Sequence, residues 1–359
     1  MMIKRFYFCV FLCFLCVFSL QAQQYKYVQA SSLTLVGKLF PDTPNPYHRL
    51  DTCRFKGFTK AENLQVRESA GIAVAFSTNS AVIRVRTLFG QMQTPVNTTG
   101  ISAYGYDLYI KKDGQWLWAG AAGQNKKESE VTVVADLDGS PHECLLYLPL
   151  FSEPLSVEVG VEENATVEAL PLPFRHRIGI FGSSFTHGTS TSRGGMTYPA
   201  QLSRATGLQL LSLGCSGNCK MQPYFAAALE AADVDAFLFD TFSNPSEATI
   251  KERLFPFIER MTKAHPGKPL IFQRTIYREN RNFNTASAHK ESSRIALADS
   301  LMNEAMHRYP DVYYICPSAT SPSHETSVDG IHPGDYGYTL WAQSIQGAVS
   351  AILRKYGIQ

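Results

Sequence analysis

Five short, nearly uninterrupted apolar runs dominate the second half of this chain: residues 178–181, 208–213, 235–239, 269–274 and 312–316. Strands that read this way are covered on both faces, as in a parallel sheet held between helices. The intervening segments supply those helices. Across 285–309 the residues Ile295, Ala298, Met302, Ala305, Met306 and Tyr309 share one helical face. Across 336–356 Trp341, Ile345, Ala348, Val349, Ile352, Leu353 and Tyr356 do the same, and Gly357 provides the stop. Strand and helix in alternation predict a three-layer, flavodoxin-like α/β/α domain around a parallel five-stranded sheet, spanning residues 173–359.

The first half has a different rhythm. Short β-branched runs at 72–76, 81–87, 104–110, 115–119, 131–134, 144–148 and 155–161 are separated by turn clusters. Asp113-Gly114 between two of them signals a tight hairpin. Residues 23–172 are therefore expected to form an all-β sandwich or jelly roll. Pro171 and Pro173 mark the linker to the second domain. Tyr104, Tyr106, Tyr109, Trp116 and Trp118 give this domain a concentration of aromatic rings. Trp116 and Trp118 fall on one face of a strand, which either packs against the neighbouring layer or offers a platform to a sugar.

Residues 1–22 have the plan of a secretory signal peptide: Lys4-Arg5, an apolar run over 6–20, then Gln21-Ala22. The run is short for a membrane span, and an uncleaved anchor is the alternative. Cys16 does not sit at a lipidation cleavage site. A secreted or periplasmic protein is expected, without stable membrane association after cleavage. The chain has 33 Lys and Arg against 31 Asp and Glu, and loss of Lys4 and Arg5 leaves 31 of each. Such a balance argues against nucleic acid as a partner, since that needs a basic surface. Outside the leader, Cys53, Cys144, Cys215, Cys219 and Cys316 form neither a disulfide framework nor a zinc-site spacing. Cys215 and Cys219 are close enough in sequence to pair, and otherwise read as buried thiols. Asn97-Thr98-Thr99 and Asn164-Ala165-Thr166 are glycosylation sequons.

The chemistry-bearing residues lie where the apolar runs end. The first run ends in Gly182-Ser183-Ser184, which delivers a hydroxyl to the carboxyl edge of the sheet. A serine nucleophile needs a base and a carboxylate to orient it. Asp329 and His332, three residues apart just before the last helix, suit those roles. Acyl transfer also needs donors where charge develops on the carbonyl oxygen. Gly217 and Asn244 lie in the loops after the second and third runs. His187 reads as a pocket-lining or turn-capping residue, His324 as a surface residue, and Asp240 as a structural hydrogen-bonder near Asn244.

Taken together, Gly182-Ser183-Ser184, Gly217, Asn244 and the Asp329-x-x-His332 pair resemble the SGNH hydrolases, the GDSL-like esterases. Gly105-Tyr106-Asp107-Leu108-Tyr109 and the segment Ser192-Arg193-Gly194-Gly195-Met196-Thr197-Tyr198-Pro199 resemble a bacterial branch whose N-terminal β domain carries a Gly-x-Asp-Leu-Tyr signature. The third block departs from the family's Gly-x-Asn-Asp, reading Phe242-Ser243-Asn244-Pro245. The resemblance implies a serine esterase without metal or organic cofactor. Ser184 would be the nucleophile, His332 the base and Asp329 its orienter. The N–H groups of Ser184 and Gly217 and the side chain of Asn244 would hold the oxyanion. A β domain and a polar 189–192 loop suggest a short acyl group, above all acetyl, on a carbohydrate. A lipase or thioesterase of the same superfamily and a non-catalytic carbohydrate-binding protein are the alternatives. Oligomeric state is not legible in the sequence.

Overall fold

The computed structural model describes residues 24–359, so the expected leader at 1–22 lies outside the described residues. The first half contributes ten strands: β1 (Tyr25–Gln29), β2 (Thr34–Val36), β3 (Ala73–Thr78), β4 (Ile83–Met92), β5 (Gly105–Lys112), β6 (Gln115–Gly123), β7 (Glu128–Val134), β8 (His142–Tyr147), β9 (Ser152–Glu162) and β10 (Val167–Ala169). They form two antiparallel sheets, β1-β9-β4-β7 and β10-β3-β8-β5-β6, with β2 sharing an edge of β3. The sheets face each other across a common core. Val85, Val157, Val159 and Val161 come from one sheet, and Val74, Phe76, Leu108 and Leu146 from the other. The β5–β6 hairpin closes at Asp113-Gly114, both in the left-handed region at φ 50° and 77°. That is the geometry an Asp-Gly pair provides in a two-residue turn. The sandwich expected from the sequence is thus present. The strands it did not announce are β1, β2 and β10, short edge strands with little alternation to read.

Five parallel strands follow: β11 (Arg175–Gly182), β12 (Leu208–Gly214), β13 (Ala236–Asp240), β14 (Leu270–Gln273) and β15 (Val312–Ile315), in the order β12-β11-β13-β14-β15. This is the flavodoxin-like order, and its switch point lies at the carboxyl end of β11, between β12 and β13. Helices cover both faces. On one side α5 (Pro223–Glu230), α6 (Glu247–Ala264) and α7 (Thr285–Arg308) pack Phe225, Phe257 and Met302 against Phe181, Phe237 and Phe239. On the other, α4 (Tyr198–Thr206) and α8 (Asp335–Arg354) pack Tyr198, Trp341 and Ile345 against Ile178, Ile180 and Leu238. Each strand feeds both layers, which is why the runs read as continuous apolar segments. Trp341 stacks on Tyr198 with ring centroids 4.5 Å apart, and its Nε1 donates to Gln273 Oε1 at 2.8 Å. This contact fixes α8, and with it the loop that precedes α8.

The two halves are interlocked. Two short helices interrupt the first half, α1 (Lys60–Gln65) and α2 (Gly100–Tyr104). Leu39, Phe40, Leu50 and Val66, from the 37–71 excursion that holds α1, join the core of the α/β layer. Arg49 is fully buried there, and its Nη1 donates to the carbonyl of Gly214 at the end of β12 at 2.8 Å. The Gly-x-Asp-Leu-Tyr signature of β5 makes a second junction. Asp107 accepts from Arg193 Nη1 at 3.0 Å and from the N–H of Gly195 at 2.8 Å, and Arg193 also donates to the Tyr109 hydroxyl at 2.6 Å. The signature and the Ser192–Pro199 segment are two halves of one docking contact. Trp116 packs against that junction beside Tyr109 and Tyr147. Trp118 is 55 % exposed, but its Nε1 donates to Asp107 at 3.1 Å and Arg193 lies 5.2 Å over its ring. The packing reading of this aromatic pair therefore describes Trp116, whereas Trp118 stays largely exposed.

Candidate active site

β11 ends at Gly182, where the chain must turn at once into the short helix α3 (Ser184–His187). A Cβ on Gly182 would lie 1.9 Å from Thr186 Oγ1, so only glycine allows so close a turn. Ser183 caps α3, its hydroxyl accepting from the N–H of Phe185 at 3.2 Å. The same hydroxyl donates to Asp240 Oδ2 at 2.6 Å. Asp240, fully buried at the end of β13, also accepts from Thr186 and Ser243. Burial pushes its pKa up, and these hydroxyl donors pull against that rise. Asp240 is the structural hydrogen-bonder the sequence suggested. It ties the serine loop to the loop that carries Asn244.

The last loop folds back onto that serine. Ser327 bridges to Pro333, and the N–H of Val328 donates to the carbonyl of His332 at 2.9 Å. Inside this turn Asp329 Oδ1 accepts the N–H groups of Ile331 and His332, at 2.9 and 2.7 Å. Its other oxygen, Oδ2, accepts from His332 Nδ1 at 2.8 Å. With that proton on Nδ1, Nε2 is left to accept from the Ser184 hydroxyl, 2.9 Å away. Burial works against the charge on Asp329. The hydrogen bonds from His332, Ile331 and Asn97 outweigh it and hold the pKa at about 2. Phe185 and His332 meet in an edge-type contact with ring centroids 5.5 Å apart, which limits rotation of the imidazole.

Ser184, His332, Gly217 and Asn244 line one cleft of about 550 Å³. Gly217 sits at φ +72°. The Asn244 carbonyl oxygen accepts from the N–H of Cys219 at 3.2 Å, which leaves its NH2 group free. Among the described residues the N–H groups of Ser184 and Gly217 and this NH2 have no protein acceptor. All five residues singled out in the sequence thus meet at one place.

Other residues surprise. Asn97, visible in the sequence only as a sequon, comes from the β domain and donates its Nδ2 to Asp329 Oδ2 at 2.8 Å. Its neighbour Thr98 accepts from the N–H of Ser190 at 3.1 Å. Gln93, Pro95 and Phe151 bring the β domain to the wall of the cleft. A glycan on Asn97 would consume the amide that Asp329 uses. His187 neither lines this cleft nor caps a turn through its ring. It is fully buried and stacked on Phe151 at 4.4 Å, and Nε2 donates to the Leu150 carbonyl at 2.8 Å. Glu68 Oε2 lies 3.1 Å from the same nitrogen, and Nδ1 accepts from Ser216 at 3.0 Å. The reason is long-range: the 37–71 excursion brings a buried carboxylate that no local pattern announces. His324 is exposed, as expected, and pairs with Glu279. Cys215 and Cys219 are buried and unpaired.

A parallel sheet with a Ser-His-Asp array at its switch point defines a hydrolase architecture, and the comparisons agree. The pattern of the GDSL-like lipase/acylhydrolase family matches residues 175–350, and that of the N-terminus of SGNH-hydrolase-type esterases matches residues 24–167. A GDSL-like lipase from Bacteroides ovatus is 35 % identical, with a TM-score of 0.88 over 92 % of this chain and 98 % of the other. The chain belongs to this GDSL-like SGNH hydrolase family. Two more distant structures share the fold. A salicylyl-acyltransferase from a tetracycline biosynthetic pathway is 19 % identical (TM-score 0.66, 91 % and 97 % covered). A family two carbohydrate esterase from Cellvibrio japonicus is 11 % identical (TM-score 0.60, 92 % and 99 % covered). No curated protein sequence matches the chain.

Proposed function

We propose that this protein is a secreted or periplasmic serine esterase that removes short acyl groups, acetyl above all, from carbohydrate. The observation that carries the reading is the continuous relay from Asp329 through His332 to the Ser184 hydroxyl, at 2.8 and 2.9 Å. Ser184 Oγ attacks the ester carbonyl while His332 Nε2 takes its proton, and Asp329 stabilises the imidazolium. The N–H groups of Ser184 and Gly217 and the Asn244 amide receive the oxyanion. Collapse breaks the C–O bond, and His332 returns the proton to the departing alcohol. Water then attacks the acyl-enzyme, with His332 as base again, and releases the acid. Asn97 holds Asp329 from outside the α/β domain, which makes the β domain a positioning part of the site. The polar walls of the cleft and the fold shared with carbohydrate esterases support a glycan ester over a lipid. The fold shared with an acyltransferase supports a second reading, in which an alcohol other than water takes the acyl group.

Acetate release from a panel of acetylated polysaccharides tests the proposal, with an acyl-chain series from C2 upward run beside it. Activity on acetylated glycans that falls steeply beyond about four carbons supports it. Turnover confined to long chains would place the protein among lipases. Product carrying the acyl group on an added alcohol in preference to water would favour transfer.

A further inference from the structure

The cleft beside Ser184 carries a charge excess that ester hydrolysis does not require. Lys220, Arg278, Lys290 and Arg294 line it, and Glu291 is the only carboxylate among its lining residues. The two arginines share that carboxylate. Arg294 Nη2 is paired with Glu291 Oε2, and Arg278 Nη1 lies 3.4 Å from Oε1. Both also donate to the Ser243 carbonyl, at 2.6 Å from Arg278 and 3.2 Å from Arg294. Their side chains are only 13 % and 7 % exposed, and both Nε atoms are buried without an acceptor. Lys220 and Lys290 have no carboxylate partner among the described residues. Buried guanidinium groups normally find matched anions, because an uncompensated charge out of water is strongly unfavourable. Burial, and then repulsion from Arg294, push the pKa of Arg278 down, against the attraction of Glu291 and of the more distant Asp240 and Asp329. The excess also lies close to the reacting atoms. The Arg278 guanidinium is 5.6 Å from the centre of the Phe185 ring, and that ring packs against His332.

We propose that the cleft takes an acyl ester whose alcohol half carries a carboxylate, an acylated acidic sugar of the uronic-acid type. Arg278 and Lys290 receive that carboxylate. The inference rests on the esterase reading above. An acetyl group has no room for a charge, so the anion must sit on the sugar that departs. Its carboxylate would face a cleft wall on which Lys220 and Lys290 have no carboxylate partner among the described residues and Arg278 shares Glu291 with Arg294. Arginine suits such a partner because its planar fork matches a carboxylate.

The test compares kcat/KM for an acetylated galacturonate oligomer with that for an acetylated xylo-oligomer of the same length, at low and at high salt. The acidic ester is expected to be the better substrate and to lose its advantage as ionic strength rises from 0.01 M to 1 M, where the screening length falls from about 30 Å to about 3 Å. Lys290→Gln, an exposed change on helix α7, is expected to lower the acidic-to-neutral ratio of kcat/KM about fivefold, as for one partly exposed ion pair. Equal kcat/KM values with the same salt dependence would overturn the inference while leaving the esterase reading intact. If no ester is cleaved, the esterase reading fails by itself. Calorimetric binding of unacetylated galacturonate against xylose oligomers then decides the charge question. Tighter binding of the acidic oligomer sustains it, and equal binding refutes it.

Discussion

Asn97→Ala tests whether the β domain contributes to the chemistry of the α/β domain. The Asn97 amide gives one hydrogen bond to Asp329 Oδ2, the same oxygen that orients His332 Nδ1. A hydrogen bond to a charged acceptor contributes about 1.5–3 kcal/mol when water is excluded. The Asp329 side chain is 31 % exposed, so water replaces part of the lost contact. A loss of ~1 kcal/mol in barrier stabilisation remains, about fivefold in kcat/KM. The backbone N–H bonds from Ile331 and His332 persist, so the carboxylate stays ionised at neutral pH. The loss should fall on kcat with KM unchanged, because Asn97 acts through Asp329 rather than on substrate. Asn97→Asp keeps the size but sets a second negative charge against Asp329, and is expected to lose roughly another tenfold. Steady-state kinetics on 4-nitrophenyl acetate, with melting temperatures as a check on folding, give the answer. Wild-type kcat in both variants would refute the positioning role.

Three further variants probe the same geometry. Asp329→Asn is expected to lower kcat about 10⁴-fold by stabilising the wrong imidazole tautomer, read by the same assay. Because the Asp329 pKa is held at about 2, its contribution to stability is present above about pH 4, the unfolded value. It is lost as pH falls through 2, so the variant should show a shallower loss of melting temperature across that window. Asn244→Ala should lower kcat by about 10²–10³-fold if its amide is an oxyanion donor, whereas a merely structural Asn244 would change melting temperature and not kcat. Glu68→Ala leaves the fully buried Arg49 without the carboxylate that offsets its charge and is expected to lose about 3–5 kcal/mol of stability in chemical unfolding.

The legibility of the sequence divides along the range of the interactions. Ser184, Gly217, Asn244, Asp329 and His332 were readable because a parallel sheet brings every strand-end loop to one edge. A local pattern in each loop is then enough to assemble the site. Residues contributed by another domain carry no such signal. Asn97 reads as an ordinary sequon until the β domain is folded against the last loop, and Glu68 reads as one acid among many. The Gly-x-Asp-Leu-Tyr signature was visible, but its physical reason was not. Asp107 and Tyr109 are there to hold Arg193 and the N–H of Gly195. His187 illustrates the converse, since its proximity to Ser184 in sequence suggested the cleft. The excursion at 37–71 instead encloses it between Glu68, Phe151 and Ser216. The same holds for Arg278 and Arg294, whose shared dependence on Glu291 and Ser243 spans two separate elements.

In the proposed mechanism Ser184, activated by His332, attacks an ester carbonyl. Hydrolysis of 4-nitrophenyl acetate by wild type and Ser184→Ala, at equal protein concentration and with matched melting temperatures, tests it most directly. Clear turnover by the wild type and a loss of about 10⁴-fold or more in the variant are expected. Equal rates in the two proteins would contradict it.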